Sequence, residues 1–168
     1  MHVSAASDTG RVREINEDSH CERVHPTFAG LRLLAVADGM GGHQAGEIAS
    51  RLAIDFLCDR FERLVDLAQP QEWLGESILA AHHAILQRAR QGVELLGMGT
   101  TLTAALVIDG RRDSGQLPAS LSPTRDSVTC LFGHVGDSRM YLYRSRERRL
   151  EQLTNDHSLV GELVRNGD

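Results

Sequence analysis

The sequence has only three cysteines, Cys21, Cys58 and Cys130, far apart and without a CxxC pair. That excludes a zinc ribbon and a disulfide framework, and it suits buried thiols in a reducing compartment. No basic block interleaves with aromatic residues and the net charge is −5, which argues against a nucleic-acid partner. No apolar run approaches membrane-spanning length, so no membrane segment is expected. Residues 1–10 lack the basic and apolar regions of a secretory signal. A cytoplasmic protein is the resulting expectation. No GxSxG occurs and no cysteine sits beside a motif histidine, which disfavours covalent catalysis. No internal repeat or low-complexity segment is visible.

What is present is an ordinary globular composition, 41% apolar and 24% charged over 168 residues. This is enough for one domain, residues 1–168, with a substantial core. Residues 2–7 read as a short strand and 19–24 as another. Residues 31–38 are apolar on both faces, which suits a central strand. Helical spacing runs from 44 to about 66 and again from 70 to 89, with Pro70 suited to a first turn. Residues 100–108 are β-branched and apolar, hence a strand. A long polar loop, 109–126, leads to strands at 128–135 and 139–144, with Gly136-Asp137-Ser138 as the hairpin turn between them. A short strand at 150–153 and a helix at 159–165 follow, with Asp156 or Ser158 as the N-cap. Strands, two long helices and more strands make an α+β chain with helices covering antiparallel sheet.

Three acidic sites adjoin apolar segments: Glu17-Asp18, Asp38 and Asp137. Magnesium and manganese take hard oxygen ligands. A pair of such ions about 3.5–4 Å apart needs a bridging carboxylate. Asp38, beside Gly39, suits that role, because a glycine carbonyl reaches an ion with no side chain in the way. Glu17 is a second ligand candidate, and Asp18 a holder of metal-bound water. Arg13, four residues before Glu17, falls on the same face of an extended segment and would clamp phosphate bidentately. Taken singly, each has an ordinary alternative: Asp38 a turn aspartate, Glu17-Asp18 a solvated pair, Arg13 a surface residue, Asp137 a hairpin-turn residue. Gly99-Thr100-Thr101 either packs backbone against the site or is a turn entering a strand. His43 and His157 read as a helix-start and a turn-fixing residue. The Gly39-Met40-Gly41-Gly42 turn is a weak nucleotide-cradle signal, since neither GxGxxG spacing nor a following Lys-Ser/Thr is present.

Together these segments resemble the metal-dependent protein phosphatases of the protein phosphatase 2C type, bacterial Ser/Thr branch. Residues 7–18 look like the family's first motif and 36–42 its second. Gly99-Thr100-Thr101 looks like the third, Gly136-Asp137-Ser138-Arg139 with Tyr141-Leu142-Tyr143 the fourth, and residues 153–158 the fifth. The resemblance implies a four-layer α-β-β-α sandwich. It implies two Mn2+ or Mg2+ ions bridged by Asp38, with Glu17 and the Gly39 carbonyl as ligands and Asp137 at a weaker third ion. Asp18, Gly99 and Thr100 would support the site, and Arg13 would bind substrate phosphate. The implied reaction is in-line hydrolysis of phosphoserine and phosphothreonine on proteins by a metal-activated water, opposing Ser/Thr kinases.

Two departures accompany the resemblance. Met40 stands where some members have a histidine proposed as an acid. The family's later Asp-Gly and Asp-Asn motifs do not follow Asp168, so the chain reads as a C-terminally truncated domain. Weaker metal binding, exposed sheet edges, exposed apolar surface and impaired activity are then expected. A catalytically silent phosphoprotein-binding module is the alternative reading.

Overall fold

The structure, a computed structural model, describes residues 1–41, 45–112, 117 and 127–157. Its main sheet is antiparallel, with strands β1 (Asp18–Val24), β2 (Leu31–Met40), β4 (Leu102–Asp109) and β5 (Val128–Val135) in the spatial order β1-β2-β4-β5. A short strand, β3 (Gly99–Thr100), pairs with the end of β2. Strands β6 (Tyr141–Arg144) and β7 (Arg149–Gln152) form a separate two-stranded sheet. Helix α1 (Ala45–Glu62) packs on β1 and β2, and α2 (Pro70–Ala89) packs on α1 and β5. This is the expected α+β class. Of the four layers, the described residues supply one helical layer, the main sheet and the β6–β7 ribbon.

The two periodicities explain the packing. Alternate residues of β2, Leu31, Leu33, Ala35 and Ala37, are buried on the α1 side. They meet Ala49, Ala53, Leu57 and Phe61, spaced along one helical stripe. Leu31, Leu33, Leu57, Phe61, Leu106 and Ile108 are fully buried, and each contributes about 1.5–3 kcal/mol of apolar burial. Among the described residues the opposite sheet face is less covered, with Val36, Val128 and Phe132 exposed there. Helix α1 carries Glu47 in its first turn and Arg60 in its last, matching the helix dipole.

Several expectations need correction. Residues 2–7 form no strand; small Ala and Ser residues have weak strand preference, and β1 pairs only with β2. Helix α1 stops at Glu62 although Leu64 stays buried, because the chain turns there with Leu64 N–H bonded to the Phe61 carbonyl. The segment 100–108 is broken at Thr101, whose N–H turns to the Asp38 carbonyl. Gly136-Asp137-Ser138 is not a hairpin turn. β5 pairs with β4, whereas β6, which starts at Tyr141, pairs with β7. Asp109 belongs to β4, and residues 110–112 form a single 3-10 turn. Cys130 is exposed, unlike Cys21 and Cys58. His43, the remainder of the 109–126 loop apart from Leu117, and the helix expected at 159–165 lie outside the described residues.

Candidate metal and phosphate site

The antiparallel register of β1 and β2 sets Asp18 directly opposite Asp38. Asp38 lies within β2 rather than at its end, since the strand continues to Met40. Residues 10–17 are irregular and enter β1 through Glu17. The Glu17 carbonyl accepts the Gly39 N–H at 3.1 Å and the Ser50 hydroxyl at 2.6 Å, which pins this segment to both β2 and α1. Glycine is required at the crossing. A Cβ on Gly39 would overlap the Gly46 carbonyl, and a Cβ on Gly46 would overlap the Glu17 carboxylate.

A closed ring of hydrogen bonds holds the other side. Ser7 Oγ donates to Asp18 Oδ2 at 2.9 Å, Asn16 Nδ2 donates to Ser7 Oγ at 2.8 Å, and the Asp18 N–H donates to Asn16 Oδ1 at 3.0 Å. The residues read as an N-terminal strand therefore serve, at Ser7, as a brace for Asp18. The Asp38 backbone is held as firmly. Its N–H donates to Thr101 Oγ1 at 3.0 Å, and its carbonyl accepts from Thr101 N–H and Thr100 Oγ1, each at 2.9 Å. Thr101 Oγ1 also meets Ser138 Oγ at 2.7 Å, tying the Asp137 bend to Asp38. Gly136 has φ +103°, and a Cβ there would press on Thr101. The 153–157 segment lies alongside. His157 N–H bonds the Gly136 carbonyl, and Asp156 takes a bidentate pair from Arg139 at 2.9 and 2.7 Å.

Four of the expected residues share one electrostatic environment. Burial, then the neighbouring Asp18 carboxylate, pushes the Asp38 carboxyl above its usual range; Arg13 opposes this and Asp137 adds to it. Arg13 Nη1 stands 3.6 Å from Glu17 Oε2. Glu17 Oε1 is buried with no hydrogen-bond partner. An empty, buried carboxylate oxygen is costly unless a cation takes it up. The donor set is entirely oxygen and net negative, which fits Mg2+ or Mn2+. Among the described residues, though, no three Asp, Glu, His or Cys side chains are closed into one metal-binding group. Gly99 and Thr100 pair with Met40 and Gly39, so they brace the end of β2.

A family model for protein phosphatase 2C matches residues 10–165. The chain belongs to the protein phosphatase 2C family. It is 36% identical over 171 residues to a serine/threonine phosphatase stp of Listeria monocytogenes, covering all of this chain and 59% of that protein. It is 40% identical over 169 residues to serine/threonine protein phosphatase PstP of Mycobacterium tuberculosis, covering 99% of this chain and 27% of that protein. The chain thus spans well under two thirds of these relatives. A solved serine/threonine phosphatase of S. agalactiae superposes with a TM-score of 0.75 at 32% identity, over 95% of this chain and 57% of that one. The PstP catalytic domain, solved in complex with two manganese ions, gives 0.68 at 36% identity, over 98% and 59%.

For a protein phosphatase 2C chain, the residues that sequence reasoning passed over are mostly supports. Gly46 was signalled by standing inside a helical pattern, where glycine weakens the helix without a packing reason. Ser50 gave no such signal, since a buried hydroxyl bonded to distant backbone has no local pattern.

Proposed function

We propose that this chain forms part of the catalytic domain of a metal-dependent protein serine/threonine phosphatase. Its substrates would be phosphoserine and phosphothreonine on cytoplasmic proteins phosphorylated by a Ser/Thr kinase. The observation that carries this reading is the buried, unpartnered Glu17 Oε1, next to Arg13 and one backbone hydrogen bond from Gly39 and Asp38. Glu17, Asp38 and the Gly39 carbonyl would hold Mn2+ or Mg2+, with Asp137 at a weaker further ion and Asp18 braced behind them. When bound, such ions activate water at neutral pH and neutralise charge on the phosphoryl group. Arg13 supplies what the ions do not, a planar two-pronged donor that fixes the phosphate for in-line attack. Its contact with Glu17 keeps the guanidinium at the site before substrate arrives. Thr101 and Ser50 hold the backbone from which Asp38 and Glu17 project.

The test is release of phosphate from a phosphothreonine peptide with added manganese, comparing the chain with Asp38→Ala. Activity that Asp38→Ala leaves intact would refute the assignment. The open arrangement of the carboxylates favours a second reading, a module that binds phosphoprotein without turning it over. Peptide binding that depends on Arg13, without manganese-dependent hydrolysis, would select it.

A further inference from the structure

Beside Arg13 lies a cleft of about 790 Å3. We propose that it is the subsite for the peptide flanking the phosphorylated residue, selecting a segment that carries an apolar side chain and a nearby Arg or Lys. The proposal rests on the phosphatase reading and deepens it by naming the class of protein sequence the site prefers.

Three separate segments converge to build the cleft. Ile15 comes from the loop before β1, Ile48 from α1, and Leu95 from the turn after α2. Leu95 is buried, while Ile15 and Ile48 are half-buried, so an apolar surface is left partly open beside the phosphate clamp. The Leu95 turn is fixed by its own hydrogen bonds, Leu95 N–H to the Gly92 carbonyl and Met98 N–H to the Leu95 carbonyl, each 3.1 Å. Glu14 and Glu94 also line the cleft, both exposed. Among the described residues neither forms an ion pair, whereas Glu17, which also lines the cleft, faces Arg13 through Oε2 at 3.6 Å and keeps only Oε1 unpartnered. One cleft therefore offers a cation for the phosphate, aliphatic surface and two uncommitted carboxylates. An acidic segment would be repelled. A purely apolar one would leave both carboxylates facing apolar groups. A basic and apolar segment matches all three features, and its size suits a few residues of extended chain.

Each exposed carboxylate–cation pair is worth a fraction of a kcal/mol, so two predict about a fivefold preference. The measurement is fluorescence anisotropy of labelled phosphothreonine peptides with the 168-residue chain and manganese. Flanks of Leu and Arg are compared with flanks of Leu and Glu. The Leu–Arg peptide should bind about fivefold tighter, and Glu94→Lys with Glu14→Lys should abolish or invert that order. Equal affinities, a preference that survives both substitutions, or no binding of either peptide would overturn the proposal. Hydrolysis of p-nitrophenyl phosphate, which has no flanking chain, is followed in parallel. Its absence in the unsubstituted chain would count against the phosphatase reading and leave the peptide preference standing. Its presence with equal peptide affinities would do the reverse.

Discussion

Replacing Gly46 by alanine adds one methyl group to the first turn of α1. Inside an ordinary helix that change stabilises by about 0.5–1 kcal/mol, because glycine loses more backbone entropy on folding. Here the new Cβ would lie 2.8 Å from Glu17 Cδ and 2.9 Å from the Gly39 carbonyl carbon. The Glu17 side chain can swing aside. The Gly39 backbone cannot do so cheaply, since it is bonded to the Glu17 carbonyl and paired in register with Thr100. Overpacking of this kind costs about 1–3 kcal/mol. Set against the helix gain, the net loss is about 1 kcal/mol, or about 2–4 °C in Tm for a chain of this size. Gly75→Ala is the control. Gly75 sits in α2, exposed, with nothing within 4 Å of a built Cβ, so the helix gain acts alone and Tm should rise. The assay is thermal unfolding of both variants with and without manganese. Gly46→Ala should also show a smaller manganese-induced rise in Tm, because the displaced carboxylate is the expected ligand. If Gly46→Ala melts at or above the unsubstituted chain and keeps its full manganese response, the close approach of α1 to Glu17 and Gly39 is not what shapes this site.

Thr101→Val keeps the shape but leaves the Asp38 N–H and the Ser138 hydroxyl without their partner, for a loss of about 1–3 kcal/mol. A urea midpoint unchanged by Thr101→Val would show that the Thr101 link does not hold Asp38. Asp38→Asn removes a charge that burial, Asp18 and Asp137 all disfavour, so without metal its Tm should rise while manganese binding, followed by titration calorimetry, is lost. A lower metal-free Tm would contradict that electrostatic account. His25 is buried against Phe28 and Phe61, and its Nδ1 accepts the Thr27 and Phe28 N–H groups, so burial lowers its pKa and the neutral ring is the stable form. Its contribution is present above the unfolded value of 6.5 and lost as pH falls through the lower folded value. His25→Asn should therefore flatten the fall in urea midpoint between about pH 7.5 and about pH 5.5 (about one unit either side of the ordinary histidine value), and an identical fall in both proteins would exclude His25 as the cause.

The sequence was most legible where one element's own periodicity decided its structure. Residues 31–38 were readable as a central strand from their apolar run, although burial alternates along it, and α2 matches its expected span from Pro70 to Ala89 because its apolar stripe repeats at helical spacing. It was least legible where a partner far away decided. Val128–Val135 and Tyr141–Arg144 look like a hairpin with a glycine turn, and only the competing partners β4 and β7 separate them. The break at Thr101 is likewise invisible locally, since its cause is the Asp38 backbone across the sheet. For the site, the glycine turn and the acidic residues stood out by type and spacing, and the structure brings Arg13, Asp18, Asp38 and Asp137 into one electrostatic neighbourhood, with Glu17 joined to it through Arg13. The bracing hydroxyls of Ser7 and Ser50 did not stand out, because a serine's value depends wholly on what lies opposite it.

Those braces explain how the chain tolerates its own site. Asp18 and Asp38 face each other in register, Asp137 stands near, and one Glu17 oxygen is buried and empty. Each feature destabilises the metal-free fold. None of them is needed for the core, which packs through Leu31, Leu33, Leu57 and Phe61 on the other sheet face or farther along α1. The offsetting interactions are local and geometric: the Ser7–Asn16–Asp18 ring, the Thr101–Asp38 pair of bonds and the Ser50–Glu17 bond. They hold the backbone and Asp18, and leave Glu17 Oε1 uncommitted. A cation would then gain attraction that the fold has already paid to leave open, and the same substitutions that relieve the strain should remove the binding.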